Sequence, residues 1–318
     1  MYINYLAKPD TGFNPTPTFG VIKTKIIDNK PLQNYNRSIE NIEFIARYYS
    51  DTLEYKTFEI PKHNGGTRTI EAPNENLKKL QRTYLNILQK SRINAHNAAH
   101  GFVKYRNCKT ALEVHQQNKS RWFLKLDISN FFPSITHEML LSTLPNIYPF
   151  NHMYDWSWLT QCELEGRLPQ GAPTSPFLAN MVMIPYDIAI TKYCTKHGLV
   201  YTRYADDILI SSTVKWDWNE TLNDIKDILS VFTINPNKVR FGSFNGRNWN
   251  LGIMYNNSYG LTVGHEFKHL AKVVVHNAEA HGISVEEKEK WLGKLGYAKF
   301  IEPDNETLDN LFIRLKCC

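Results

Sequence analysis

Residues 201–210 read Tyr-Thr-Arg-Tyr-Ala-Asp-Asp-Ile-Leu-Ile, and no other stretch narrows the fold as far. Aromatic and β-branched residues precede the two acids, and Ile208, Leu209 and Ile210 follow them, so extended chain is favoured on both sides. Asp206 and Asp207 interrupt the two runs, which predicts a hairpin with the acids at its tip. Adjacent carboxylates repel each other unless a proton or a cation intervenes. Mg²⁺ commonly takes one or two carboxylates together with substrate phosphates. The tip is therefore either a metal-held phosphate site or an exposed turn that happens to be acidic. The dipeptide alone does not decide between them.

The 318 residues allow one large core or two to three lobes. Hydrophobic content of 42% and charged content of 21% are those of an ordinary globular chain, and a net charge of +6 leans only weakly toward polyanionic partners. Cys108, Cys162, Cys194, Cys317 and Cys318 lack the paired spacing of a zinc site. Met1 to Tyr5 does not open a leader, and no run approaches the ~20 apolar residues of a membrane span. The expectation is a cytoplasmic protein with no membrane partner.

Prolines 9, 15, 17 and 31 break residues 1–36 into an N-terminal extension. Ser38 to Tyr49 has the spacing of an amphipathic helix. Tyr55 to Ile70 alternates on both sides of Asn64-Gly65-Gly66, a strong hairpin signal. Lys62 and Arg68 lie on its opposite arms, as a cationic clamp for phosphates or as a solvated pair. Helices are predicted over Asn74–Gln89, Thr110–Gln117, His137–Leu144, Phe177–His197 and Trp218–Leu229. Trp122 to Leu126 predicts a buried strand that delivers Asp127, either as a cap or as a site residue. Leu168 to Pro176 forces a tight loop, which either borders a ligand with its amides and Gln170 or only shapes the chain. Asn248–Tyr255 and Gly260–Val263 predict a hairpin around Asn256-Asn257. From His265 on, helices are expected over 265–281, 285–297 and 304–316, and their many lysines need mean no more than solvation.

Taken in order, these segments resemble the motifs of the bacterial reverse transcriptases, the lineage of retron, group II intron and defence-associated enzymes. The likeness runs over roughly residues 55–300. Lys62 through Arg68 is similar to the fingers motif, and Ala99-His100-Gly101-Phe102 with Arg106 to the second block. Asp127 with Phe131-Phe132-Pro133-Ser134 resembles motif A, and Leu168 to Pro176 with Leu178-Ala179-Asn180 resembles motif B. Tyr204-Ala205-Asp206-Asp207 resembles motif C, Asn237-Lys238 motif D, and Leu251-Gly252 the primer grip of motif E.

The resemblance implies an α+β right-hand polymerase with fingers, a palm of antiparallel sheet packed on helices, and a short helical thumb. The expected boundaries are extension 1–36, fingers 37–120, palm 121–250 with a fingers-associated segment about 145–175, primer-grip hairpin 251–264 and thumb 265–318. It further implies that Asp127, the Ile128 carbonyl, Asp206 and Asp207 hold two Mg²⁺ ions, with Mn²⁺ as a substitute. Lys62, Arg68, Gln170, Gly171 and Lys238 would bind the nucleotide, and Phe132 would gate against a ribose hydroxyl. Leu251 and Gly252 would grip the primer; Lys104, Arg106, Lys268 and Lys272 would meet nucleic acid. The implied partners are a structured non-coding RNA as template and, in one reading, primer; deoxynucleoside triphosphates; a DNA product; and an effector or second polymerase subunit.

The implied activity is RNA-directed DNA synthesis in anti-phage defence. The alternatives are a template-independent or protein-primed polymerase and a non-enzymatic RNA-binding scaffold. Retron enzymes carry an Asn-Ala-x-x-His element before motif A and a Val-Thr-Gly element near motif E. Lys109 to His115 and Trp249 to Ile253 match neither well, so a defence-associated enzyme outside the retrons proper is expected.

Overall fold

Alternating residues on either side of Gly65-Gly66 form a hairpin: β1 (Tyr55–Pro61) pairs antiparallel with β2 (Thr67–Pro73). The computed structural model describes Ile42 and residues 54–61, 65–91, 93–147, 150–153, 155–243, 247–256 and 260–318. The expected N-terminal extension, most of the helix at 38–49, Lys62 and Asn64 lie outside the described residues; Ile42 is helical and buried. Asn74 caps α1 (Glu75–Lys90) by accepting from the Leu77 amide. A reciprocal capping box at Asn107 and Thr110 starts α2 (Cys108–Gln117) two residues earlier than its periodicity predicts.

The expected α+β class with antiparallel sheets is borne out. A four-stranded sheet forms the centre, in the order β4 (Val200–Tyr204), β5 (Asp207–Ser212), β3 (Trp122–Asp127), β6 (Arg240–Gly242). Its pairings are all antiparallel. Side chains alternate across a strand, and here the alternation feeds two cores. Leu124, Leu126, Ile208 and Ile210 enter the larger one with the helices α3 (His137–Thr143), α4 (Ser175–Val182), α5 (Ile184–Lys196) and α6 (Trp218–Ile228). Phe123 and Leu209 point the other way, into a second core with Leu112 and the C-terminal region.

Two segments differ from the sequence reading. The expected single helix over Phe177–His197 is two, broken at Met183. Pro185 lacks an amide hydrogen and its ring clashes with the carbonyl four residues back, so the helix restarts. The expected two-stranded hairpin after residue 247 is a three-stranded meander of β7 (Arg247–Asn250), β8 (Ile253–Asn256) and β9 (Gly260–Thr262). Leu251 at φ 52° and Gly252 at φ 76° make a tight two-residue turn where one straight strand is expected. Residue 257 of the other turn lies outside the described residues.

Three helices close the chain: α7 (His265–His281), α8 (Val285–Ile301) and α9 (Glu306–Cys317). Ser284 and Asn305 cap the last two. Their apolar faces share the second core with Tyr255 and Leu261 of the meander and with Phe123. Among the described residues, no helix is long and apolar enough to cross a membrane.

His115 of α2 pins that helix to the sheet. Its Nδ1 lies 2.6 Å from Ser211 Oγ and its Nε2 2.8 Å from Thr202 Oγ1. Ser211 donates onward to Ser120, so Nδ1 donates, Nε2 accepts, and the ring is neutral. Burial pushes its pKa down to about 3, and that of His100 down to about 4. In the unfolded chain both rings titrate near 6.5. The stability from the neutral rings is fully present above that pH and is lost as the pH falls toward the folded values, at about 1.4 kcal/mol per unit per histidine. Thermal melts between about pH 7 and about pH 5 should show a falling Tm. His115→Gln should lower Tm at neutral pH yet flatten that slope, and an unchanged slope would assign the acid sensitivity elsewhere.

Candidate active site

The sheet brings three acids to one end. Asp127 closes β3, Asp207 opens β5, and the two are direct cross-strand partners. Asp206 occupies the turn before β5, and its carbonyl accepts the Ile128 amide at 3.0 Å. The end of β3 is held on its other flank as well. The Asp127 carbonyl accepts from the Asn235 amide at 2.8 Å, and Ser129 donates to Thr233 at 2.8 Å. Asp127 is buried, with 4% of its surface exposed.

Burial and mutual repulsion set the electrostatics. Asp206 is raised above the usual carboxylate range, first by burial and then by the Asp127 charge, with Lys238 and Arg68 opposing. Asp207 is pushed up to about 6 by burial, then by Asp206 and Asp127. Lys238 lies 2.5 Å from Asp127 Oδ2, and this bond holds its ammonium above the ordinary lysine value. Such a cluster favours any cation that reaches it. Among the described residues, no three His, Cys, Asp or Glu side chains are gathered into a cage that could hold an ion alone. Two carboxylates completed by substrate phosphates need no such cage, and the donor set of Asp127 and Asp206 fits that mode.

Beneath the turn lies a polar network that the sequence reading missed. Arg203 and Asp187 are both wholly buried and pair at 2.7 Å. Asp187 also accepts from Arg203 Nε at 2.8 Å and from the Tyr201 hydroxyl at 2.6 Å. Nη1 also donates to the Ala205 carbonyl at 3.0 Å, and Nη2 to Asn180 Oδ1 at 3.1 Å. Asn180 in turn donates to the Gly101 carbonyl at 2.9 Å. Ala205 sits in the left-handed region at φ 57°, so the turn needs such support. A Cβ on Gly101 would stand 2.4 Å from the Ala205 amide nitrogen, which leaves only glycine room there. The available signal was a single acid inside an apolar helix and a single arginine inside a strand, at positions that their periodicities bury.

A second join ties β2 to the loop before α4. Glu71 and Arg167 form a two-pronged ion pair at 2.6 and 2.9 Å. The Glu71 amide donates to the Gln170 carbonyl at 2.9 Å, and the Gln170 amide reaches Glu71 Oε2 at 3.3 Å. Gly171 has φ 148°, and a Cβ there would stand 2.7 Å from the Glu71 carbonyl oxygen. The backbone amide of Gln170 is thus bonded within the protein, to Glu71. Arg68 lies farther out on β2, close enough for its charge to act on Asp206.

The other candidate residues divide. The Phe132 ring packs 5.5 Å from Phe131 and 5.9 Å from Phe102. Lys104 is exposed, 4.9 Å over the Tyr105 ring. Arg106 braces its own loop: Nη1 donates to the carbonyls of His96, Asn97 and Ala99 at 3.0, 2.9 and 2.7 Å. Lys268 is committed to Glu302 at 2.6 Å within the C-terminal unit. Lys272 lines a groove with His276, Asn310 and Arg314 between α7 and α9. Leu251 and Gly252 occupy the tight turn of the meander.

Comparison with known proteins agrees with this geometry. The profile of the reverse transcriptase (RNA-dependent DNA polymerase) family matches residues 60–294. The retron Ec83 reverse transcriptase of Escherichia coli is 30% identical over 263 residues, 78% of this chain and 83% of its own length. The retron Ec73 enzyme of the same organism is 31% identical over 264 residues, with the same shares. The retron Mx65 reverse transcriptase of Myxococcus xanthus is 33% identical over 290 residues, 82% of this chain and 66% of its own. These relatives overturn the expectation of a place outside the retrons proper. This chain belongs to the reverse transcriptases, RNA-directed DNA polymerases, and among them to the retron type.

Proposed function

We propose that the chain copies a cognate structured non-coding RNA into DNA by two-metal nucleotidyl transfer, in anti-phage defence. The observation that carries the chemistry is the register that sets Asp127 against Asp207 while the Asp206 carbonyl holds the Ile128 amide. The defence role rests on the sequence resemblance. In this reading residues 37–120 act as fingers, 121–250 as palm, 251–264 as primer-grip hairpin and 265–318 as thumb, and the protein works in the cytoplasm.

Asp127 and Asp206, with the Ile128 carbonyl, would hold two Mg²⁺ ions, which supply activation of the primer 3′-hydroxyl and neutralise the leaving pyrophosphate. Asp207 would act as the neighbouring charge. Arg68 and Lys62 would bind the triphosphate and offset the charge that develops in transfer. Lys238, held by Asp127, would release a proton to the departing group. Gln170 and Gly171 would line the nucleotide pocket, their backbone fixed by Glu71. Phe132, backed by the buried Phe131, would present a flat ring to C2′ of the sugar.

Asp206→Asn should lower primer extension by about a thousandfold, the effect of several kcal/mol of lost charge stabilisation. Asp207→Asn should also cut activity while raising the Tm of the metal-free protein by about 2–4 °C, because the amide mimics the protonated acid that burial favours. Residual activity near wild type, or a lowered Tm for the second variant, would contradict the cluster as described. Phe132→Ala should increase the ratio of ribonucleotide to deoxynucleotide incorporation, and an unchanged ratio would displace the gate. Sequencing the nucleic acid that co-purifies with the protein tests the template: DNA product unrelated to any bound RNA would favour untemplated synthesis.

A further inference from the structure

The loop at 101–106 joins His100 to α2, and it twice adopts a backbone conformation that bulky side chains avoid. Phe102 has φ 60° and Tyr105 has φ 64°. Neither ring is compensated by burial, since Phe102 is 53% and Tyr105 87% exposed. The loop is nonetheless rigidly defined. Arg106 ties three carbonyls behind it, His100 donates to the Arg203 carbonyl at 2.7 Å, and Asn180 holds Gly101. Strain that persists under such support, with the side chains left outside, points to a use for those side chains.

Their position indicates the use. Gly101 lies against the turn that carries Asp206, and Phe102 packs on Phe132. Phe131, Phe132 and Phe102 thus make a file of rings from the core to the surface, at 5.5 and 5.9 Å spacing. Tyr105 follows three residues after Phe102 in the same loop, exposed, with the Lys104 ammonium over its ring. Exposed aromatic faces beside a cation are the chemistry by which proteins hold unpaired nucleobases and the adjoining phosphates. Paired bases offer no free face along the helix, so the ligand is single-stranded.

We propose that Phe102 and Tyr105 form a stacking platform for unpaired RNA bases entering beside the catalytic acids, with Lys104 meeting the phosphate. This deepens the polymerase reading and rests on it. The test is binding of two probes, a blunt RNA–DNA hybrid and the same hybrid with a single-stranded RNA overhang on the template. Glycine suits both backbone positions, so Phe102→Gly and Tyr105→Gly should keep or raise Tm while removing the rings. Each should weaken overhang binding by about fivefold or more, raise KM for the overhang substrate more than it lowers kcat, and leave the blunt hybrid unaffected. Phe102→Trp should bind the overhang as wild type does and show fluorescence quenching on binding. Equal affinity of the glycine variants and wild type for the overhang would overturn the platform, as would an equal loss for both probes. A wild-type protein that binds neither probe would instead overturn the polymerase reading itself.

Discussion

The buried pair of Arg203 and Asp187 is the interaction on which the catalytic end of the sheet depends. Removing two full charges from water is costly, and the pair is tolerable only because its hydrogen-bonding capacity is nearly used up. Three donor groups converge on Asp187, and Arg203 also donates to Ala205 and Asn180. An apolar replacement of equal volume could match the stability but could not hold the Ala205 carbonyl. The left-handed turn, and with it the direction of Asp206, is what the charges secure.

The acids themselves pull the other way. Asp207 is raised by its neighbours and by burial, so the folded state is strained by the charge that function requires. Lys238, in contact with Asp127, and Lys125 lessen that strain on Asp207, and Lys238 and Arg68 do the same for Asp206. The site shows the usual opposition between stability and activity. Tertiary support lies beneath the turn and cationic relief beside it, on residues far apart in sequence.

Much of this was legible in the sequence because it is local or periodic. The hairpin at Tyr204-Ala205-Asp206-Asp207 follows from two strand-like runs with acids between them, and the delivery of Asp127 from a buried run followed by a turn. Capped helices such as α1 and α6 could be read from their first residues. What could not be read depends on contacts between distant segments. Asp187 looks like a polar residue on a helix until Arg203 is placed opposite it, 16 positions away. Arg106 has the charge of a phosphate contact, and only the folded loop shows Nη1 bonded to the carbonyls of its own segment. Pro185 was visible, but whether a proline kinks a helix or ends it depends on the packing around it.

The second core has a mechanical consequence. Phe123 of the central sheet packs 5.2 Å from Tyr255 of the meander, and both join the core of the three C-terminal helices. Lys109 of α2 adds a bond to the Phe300 carbonyl at 2.8 Å. Rotating these helices away from the sheet would peel apart one continuous apolar layer, so sheet and helices respond to load as a single elastic body. The β1–β2 hairpin is different: its first strand is largely exposed, and its ties to the rest are polar, from Glu71 to Arg167 and Gln170 and from Tyr55 to Gln81. A force applied to the C-terminal helices is therefore transmitted through that shared layer to β3 and β5, the strands that carry Asp127 and Asp207.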